Sequence, residues 1–324
     1  MILTRNQTVV IKGIAILFMI FFHLFGCSIK YEQASLFTSI TQLPRLMGYF
    51  CGNCVAMFVF ATGYGLSISS NLTLLKILNK VLKLYTVTWV ISLVLVPIII
   101  FLGYKTFNIS DLIKTIFCVG GYNPMYWFIA LYPLLLLTFK QIANYSSKFL
   151  LLLFTLFLIT SIIDNIYHLF GKFPLINFFF NNYIILTPYL LAGILIAKMP
   201  SKCNKYVQQY HIPITLLIVG IGLLMLYFHT NIFYQIYCTL FIPVFCIAIS
   251  FIKQNWLKCL LIKIGNMSMM LWLTHGFLFY YFYQYFYYPK YWLLVFFLFM
   301  TASYILAMLM DKLIKFLKVD KIHI

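Results

Sequence analysis

Two polar side chains interrupt the first apolar run of the chain, VVIKGIAILFMIFFHLFG: Lys12 and His23, with ten residues between them. A cation and an imidazole inside a membrane span are costly and normally face protein or an aqueous cavity. Eleven steps along an α-helix turn about 1100°, leaving roughly 20° after three full turns, and rise about 16 Å. Both side chains therefore share one helix face at different depths. The cation suits an anionic ligand near the membrane surface. The imidazole suits proton transfer near neutral pH, as a general base or as a nucleophile. A second pair lies in IGNMSMMLWLTHGF, where Ser268 precedes His275 by seven residues. Seven steps again leave about 20°, with a rise of about 10 Å. Each histidine sits about 14 residues into its apolar run, which predicts matching depth.

Other chemistry is sparse. The acidic residues are Glu32, Asp111, Asp164, Asp311 and Asp320. Paired carboxylates of the kind used in glycoside hydrolysis are therefore missing, and little is present for a carboxylate proton relay. His168, His211, His229 and His323 fall in predicted loops, turns or the tail and read as solvated surface. Cys51 and Cys54 form a lone pair without a partner pair, which reads as small apolar packing rather than a metal site.

The elements that must position these residues are membrane helices. Hydrophobic residues make up 64% of the 324 and charged residues 9%, against about 25% charged in soluble domains; mean hydropathy is +0.99. The chain reads as a single all-α membrane domain, 1–324, with about ten transmembrane helices. Their expected limits are 9–28, 47–69, 82–103, 124–139, 149–164, 183–197, 213–228, 232–252, 260–282 and 291–311. Pro124 and Pro133 weaken the fourth. The preceding stretch 104–123, with Lys105, Asp111 and Lys114, reads as a surface helix or a re-entrant segment. With both termini in the cytoplasm, 17 of the 23 basic residues fall on the cytoplasmic side and 6 on the other, as the positive-inside rule asks. The net charge of +18 is thus mostly a topology signal, favouring membrane lipid and anionic ligands. The lysines are spread over six places, which does not point to nucleic acid. The first run is longer than a signal-peptide core and is followed by further spans, so it is expected to stay.

Several segments together resemble one family. Lys12 to His23 is similar to the R/K-x10-H opening of the acyltransferase 3 family of membrane-bound acyltransferases. FVFATGYGLS is similar to its phenylalanine-rich second segment, with Thr62 where serine is commoner, then Gly63 and Tyr64. KILNKVLKLYTVTW is similar to its basic stretch, with Lys80 and Lys83 for arginines and Thr86 where proline is frequent. MYWFIALYPLLLL resembles its Trp-Phe segment through Tyr126, Trp127 and Phe128. TPYLLAGILIAK resembles a later glycine-bearing span around Gly193, and IGNMSMMLWLTH its Gly-x-x-Ser…His segment through Gly265, Ser268 and His275. The six motifs occur in order between residues 5 and about 280. Lysine for arginine keeps the charge but loses the bidentate fork.

The resemblance implies a membrane O-acyltransferase of the bacterial cytoplasmic (inner) membrane. It would take an acetyl group from cytoplasmic acetyl-CoA, the donor co-substrate, to a hydroxyl of a cell-surface glycan or its lipid-linked precursor. The residues assigned to catalysis are His23, His275 and Ser268. Lys12, Lys80 and Lys83 are assigned to the CoA phosphates, and Thr62, Tyr64, Tyr126 and Trp127 to substrate contact. No metal is expected. The alternative from another class is a transporter or flippase for a polar or lipid-linked solute. Such proteins commonly carry two related halves, and no internal repeat is visible between 1–160 and 161–324.

Overall fold

In the computed structural model the described residues are 3–26, 42–68, 73–167, 174–199, 203–289 and 291–319. Among them no strand occurs. The helices are α1 (Arg5–Phe21), α2 (Gln42–Cys51), α3 (Cys54–Ile68), α4 (Leu74–Phe101), α5 (Ile109–Ile116), α6 (Trp127–Ile142), α7 (Ser147–Tyr167), α8 (Pro174–Lys198), α9 (Cys203–Gln209), α10 (His211–Tyr227), α11 (Asn231–Ile249), α12 (Asn255–Asn266), α13 (Ser268–Tyr287) and α14 (Trp292–Phe316). A π-helical turn, Phe22–Gly26, extends α1, and a 3-10 turn, Pro124–Tyr126, precedes α6. Within the described residues each of the ten expected spans falls on helix. Among the described residues, eight helices or helix runs are long and apolar enough to cross a membrane, nine if α12 and α13 make one broken span. The tenth, α10, has 17 residues, just short of the ~20 a crossing needs. Large apolar side chains point outward, among them Leu93, Phe101, Leu216 and Phe297, as a lipid solvent permits.

The chain forms two compact units. The first comprises residues 1–28, 40–71 and 138–266. Its N-terminus is pinned twice. Thr4 and Gln7 close a capping box at the start of α1, with Gln7 Oε1 accepting from Thr4 N at 2.8 Å. The fully buried Tyr64 hydroxyl accepts from Leu3 N at 2.6 Å and donates to Leu3 O at 3.0 Å. Its helices meet along glycine seams. A Cβ on Gly63 would collide with Leu190 O, and one on Gly193 would collide with Phe60 O, so α3 and α8 touch backbone to backbone. Gly13 lies the same way against Leu261 O, and Gly265 against Val9 O, which joins α1 to α12. Small residues serve membrane helices in this way because close approach is what yields dispersion energy when lipid supplies no hydrophobic drive. Gly63, Gly193 and Gly265, singled out as motif residues, are therefore packing residues.

The second unit comprises residues 29–39, 72–137 and 267–324; its first segment lies outside the described residues. Here α4 starts earlier than expected, because Thr73 caps it by accepting from Lys76 N at 3.3 Å. Lys76, Lys80 and Lys83 thus lie on a helix, one turn apart. The stretch 104–123 holds α5 and the turns around it. The end of α5 meets α4 where Ile116 O accepts from Trp89 Nε1 at 2.8 Å. Trp89 is twelve residues, about 18 Å, from the Phe101 end of the 28-residue α4, near its middle. The backbone at 117–123 is irregular at that depth, and irregular backbone in a membrane needs internal partners. Thr115 supplies them: its Oγ1 donates to Asp111 O at 2.8 Å and accepts from Tyr122 N at 2.9 Å. Cys118 N and Val119 N donate to Thr115 O and Lys114 O. Gly121, at φ +76°, sits where a Cβ would strike Asp111 O. The chain resumes through Asn123, whose Oδ1 accepts from Met125 N at 3.1 Å, and α6 follows.

Valine at Gly13 or Gly193 should force the seams apart and destabilise by about 1–3 kcal/mol. Alanine at Gly65 or Gly220, which face open space, should leave stability unchanged or slightly raised. Thermal unfolding of the detergent-solubilised chain separates the two classes.

Candidate active site

The first unit holds Lys12, His23, Thr62 and Tyr64. Lys12 is half-buried on α1, and His23 is the half-buried second residue of the π turn. That turn is fixed by backbone contact: Gly26 and Gly48 lie so close that a Cβ on either would strike the other's main chain. A Cβ on Gly52 would touch the Phe22 ring at 3.3 Å, so the break between α2 and α3 runs beside the residue preceding His23. The Phe22 and His23 rings are 5.2 Å apart. π-turns are frequent at functional sites, and His23 lies in this one. Five residues earlier, Phe18 packs its ring on Phe50 and Phe245, at 6.1 and 5.8 Å.

Thr62 and Tyr64 are engaged locally. Thr62 Oγ1 donates to Phe58 O at 2.9 Å, so only its lone pairs face other partners. Both functions of the Tyr64 hydroxyl go to Leu3, which makes Tyr64 a tether. Two residues with no expected role mark the same break. Asn53 Nδ2 donates to Phe50 O at 2.8 Å and to Tyr234 OH at 2.9 Å, tying the α2–α3 turn to α11. The signal was an amide inside the apolar run CGNCVAMF, next to the cysteine pair that drew notice instead.

The second unit holds Lys80, Lys83, Tyr126, Trp127, Ser268 and His275. Lys80 is exposed and Lys83 half-buried on the first half of α4. Ser268 opens α13, directly after the break at Met267. His275 is fully buried, seven residues on. Its Nδ1 lies 2.9 Å from Leu271 O and 2.8 Å from Trp272 O. Both neighbours are acceptors, so Nδ1 carries the ring proton and Nε2 keeps a lone pair. Neutral His275 can therefore take a proton at Nε2 but not give one there.

Around it the residues that follow α5 dock on α13. Asn123, fully buried, donates from Nδ2 to Leu273 O at 3.2 Å. It fills the notch at Gly276, where any Cβ would collide with its Oδ1. Tyr126 OH shares a 3.3 Å hydrogen bond with Ser92 Oγ and sets its ring edge-on to Phe277 at 6.1 Å. The Phe128 ring packs on Trp272 at 5.1 Å, and Trp127 is half-buried beside it. Tyr126 and Trp127 thus belong to the surroundings of α13, whereas Lys80 and Lys83 occupy the opposite half of α4 from Trp89 and Ser92. Asn123 was not anticipated; the Gly-Gly-Tyr-Asn-Pro sequence marked a turn, but nothing in it placed that turn at mid-span.

The chain matches the family model of an acyltransferase domain, the acyltransferase 3 type, over residues 10–312. No curated protein and no solved structure matches it. The matched stretch begins two residues before Lys12 and runs through most of α14, taking in every candidate residue of both units. The chain belongs to the acyltransferase 3 family of membrane acyltransferases.

Proposed function

We propose that the chain is an O-acetyltransferase of the bacterial cytoplasmic membrane, with both termini in the cytoplasm. Its donor is cytoplasmic acetyl-CoA, and its acceptor is a hydroxyl of a cell-surface polysaccharide or of its lipid-linked precursor. The observation that carries this reading is the Lys12–His23 helix, in a member of an acyltransferase family, with His23 displaced from α-helical register by a turn locked through Gly26 and Gly48. The CoA phosphates are drawn to cytoplasmic lysines, of which Lys12 shares α1 with His23. The extended thiol arm brings the thioester toward His23.

His23 acts as general base. It removes the acceptor's hydroxyl proton while that oxygen attacks the thioester carbonyl. The tetrahedral intermediate collapses by breaking the C–S bond, and the imidazolium returns its proton to the departing CoA sulfur. Acetyl ester and CoA thiol are the products. Neither Thr62 nor Tyr64 is assigned the oxyanion, because their hydroxyl protons point to Phe58 O and Leu3 O. Thr62 keeps lone pairs to receive an acceptor hydroxyl. Within the second unit, His275, protonated on Nδ1, offers a proton acceptor and Ser268 at the start of α13 a donor.

Membrane vesicles from producing cells carry their own acceptor, so labelled acetyl-CoA added to them should yield labelled acetyl ester and free CoA thiol. His23→Ala should lower that transfer by about 10²-fold or more at unchanged thermal stability; near wild-type transfer by this variant would refute the base assignment. Lys12→Ala should raise the KM for acetyl-CoA about tenfold, with Lys12→Arg restoring it, as expected for one charge-assisted contact. Tyr64→Phe should behave oppositely to His23→Ala. It removes the hydroxyl that satisfies Leu3 and should cost about 1–3 kcal/mol of stability, while transfer per folded molecule stays near wild type.

A further inference from the structure

Helix α12 carries one of its cations on its packed side. Leu261, Ile264 and Gly265 form the buried stripe. Lys263 faces out, as do Trp256 and Leu260, which are 72% and 46% exposed. Lys258 falls on the stripe instead, three residues before Leu261 and seven before Gly265, and is half-buried. A lysine so placed meets an anion or extends its ammonium to water. The first unit has little to offer as a counter-charge. Asp164 is the one acidic residue in its sequence, and it lies on α7, which packs on α8 and α11. The ion pairs among the described residues are Lys105–Asp111 and Lys315–Asp311, and neither includes Lys258.

The seam with α1, in the same unit, sets the level of Lys258. Gly13 meets Leu261 O, and Gly265 meets Val9 O. The two helices therefore run antiparallel, and a step toward His23 on α1 is a step toward Asn255 on α12. One turn beyond Gly13 stands the fully buried Ile16, and the facing turn of α12 is the one that carries Lys258. Lys12 directly precedes Gly13 and is half-buried as well. Lys12 and Lys258 thus occupy successive turns of one seam, about 6 Å apart along it, with Lys258 on the side of His23.

We infer that Lys258 is a phosphate ligand beside Lys12, and that the two ammonium groups hold one diphosphate from opposite helices. Acetyl-CoA carries such a group where its pantetheine arm begins, so this placement rests on the acyl-transfer reading above. From the turns of Lys12 and Lys258 to His23 the helix rises about 16 and 10 Å, which is the stretch the arm must cross to bring the thioester to His23. An anionic lipid headgroup offers the same phosphate chemistry. The donor is the better fit because Lys258 shares the packed side with α1, whereas the outward positions of α12 hold Trp256 and Leu260.

The test measures equilibrium binding of acetyl-CoA to the purified full chain in phosphatidylcholine bilayers, which hold no competing anionic lipid. Lys258→Met keeps the apolar stem and drops the charge. It should weaken binding about tenfold, as expected for one charge-assisted contact, and Lys258→Arg should recover most of the loss. Acetyl-dephospho-CoA, which keeps the diphosphate and lacks the 3′-phosphate, should lose the same factor. Without ligand, the thermal midpoint of Lys258→Met should be unchanged or raised, since a half-buried cation without a counter-charge opposes folding. Unchanged acetyl-CoA affinity in Lys258→Met overturns the site. A loss that comes with a lowered midpoint marks a packing role and also overturns it. A loss seen with acetyl-CoA and absent with the dephospho form assigns Lys258 to the 3′-phosphate and overturns the diphosphate site. If added phosphatidylglycerol raises the wild-type midpoint above that of Lys258→Met while acetyl-CoA binds both alike, the phosphate belongs to lipid and the donor assignment falls. Wild type that binds no acetyl-CoA refutes the enzyme reading itself, an outcome distinct from a wild type that binds and a variant that binds equally well.

Discussion

The close helix contacts around Lys12 and His23 rest on glycine lying against main chain. Gly13 against Leu261 O and Gly265 against Val9 O hold α1 to α12, and Gly63 and Gly193 hold α3 to α8. Gly26 against Gly48 then fixes the π turn itself. In lipid, apolar side chains gain nothing by leaving their surroundings, so helices adhere through dispersion at short range and through hydrogen bonds. A single methyl group at these seams removes the short range. The position of His23 is thus determined one layer away, by residues that carry no chemistry.

The polar residues follow a second constraint. Helical backbone satisfies itself in a membrane, and each interruption exposes groups that must find partners. The interruptions are also where the candidate chemistry gathers. His23 sits in the π turn, Asn53 at the α2–α3 break, Asn123 at the end of the irregular stretch 117–123, and Ser268 after Met267. At 117–123 the solution is local: Thr115, Asn123 and two glycines complete the hydrogen bonds and leave Asn123 facing the notch at Gly276. The same device that keeps irregular backbone tolerable ties it to α13 two residues from His275. Placing Asn53, Thr115 and Asn123 at breaks reduces the desolvation cost of having them at all, since each then serves a backbone group that needs it.

Much of the helical frame could be read from composition and apolar run length, because bilayer thickness imposes a fixed scale. The ten runs fall on helices, of which eight or nine among the described residues are long and apolar enough to cross a membrane. The family motifs were legible too, although physical meaning separated them: Gly63, Gly193 and Gly265 turn out to be contact residues, and Tyr64 an anchor for Leu3. Depth within irregular segments was not legible. Nothing in Tyr-Asn-Pro indicates that Asn123 reaches Leu273, since that depends on Trp89 and Thr115 holding α5 against α4. The π turn at Phe22–Gly26 was likewise hidden, because its cause is Gly48, more than twenty residues away.

Acetyl transfer to an envelope glycan is the central claim. The most direct measurement is proton NMR of purified surface polysaccharide from cells with the gene, without it, and complemented with wild type or His23→Ala. The account predicts an O-acetyl resonance that disappears on deletion, returns with wild type and stays absent with His23→Ala. An acyl signal unchanged by deletion, in a strain that makes the protein, would contradict it.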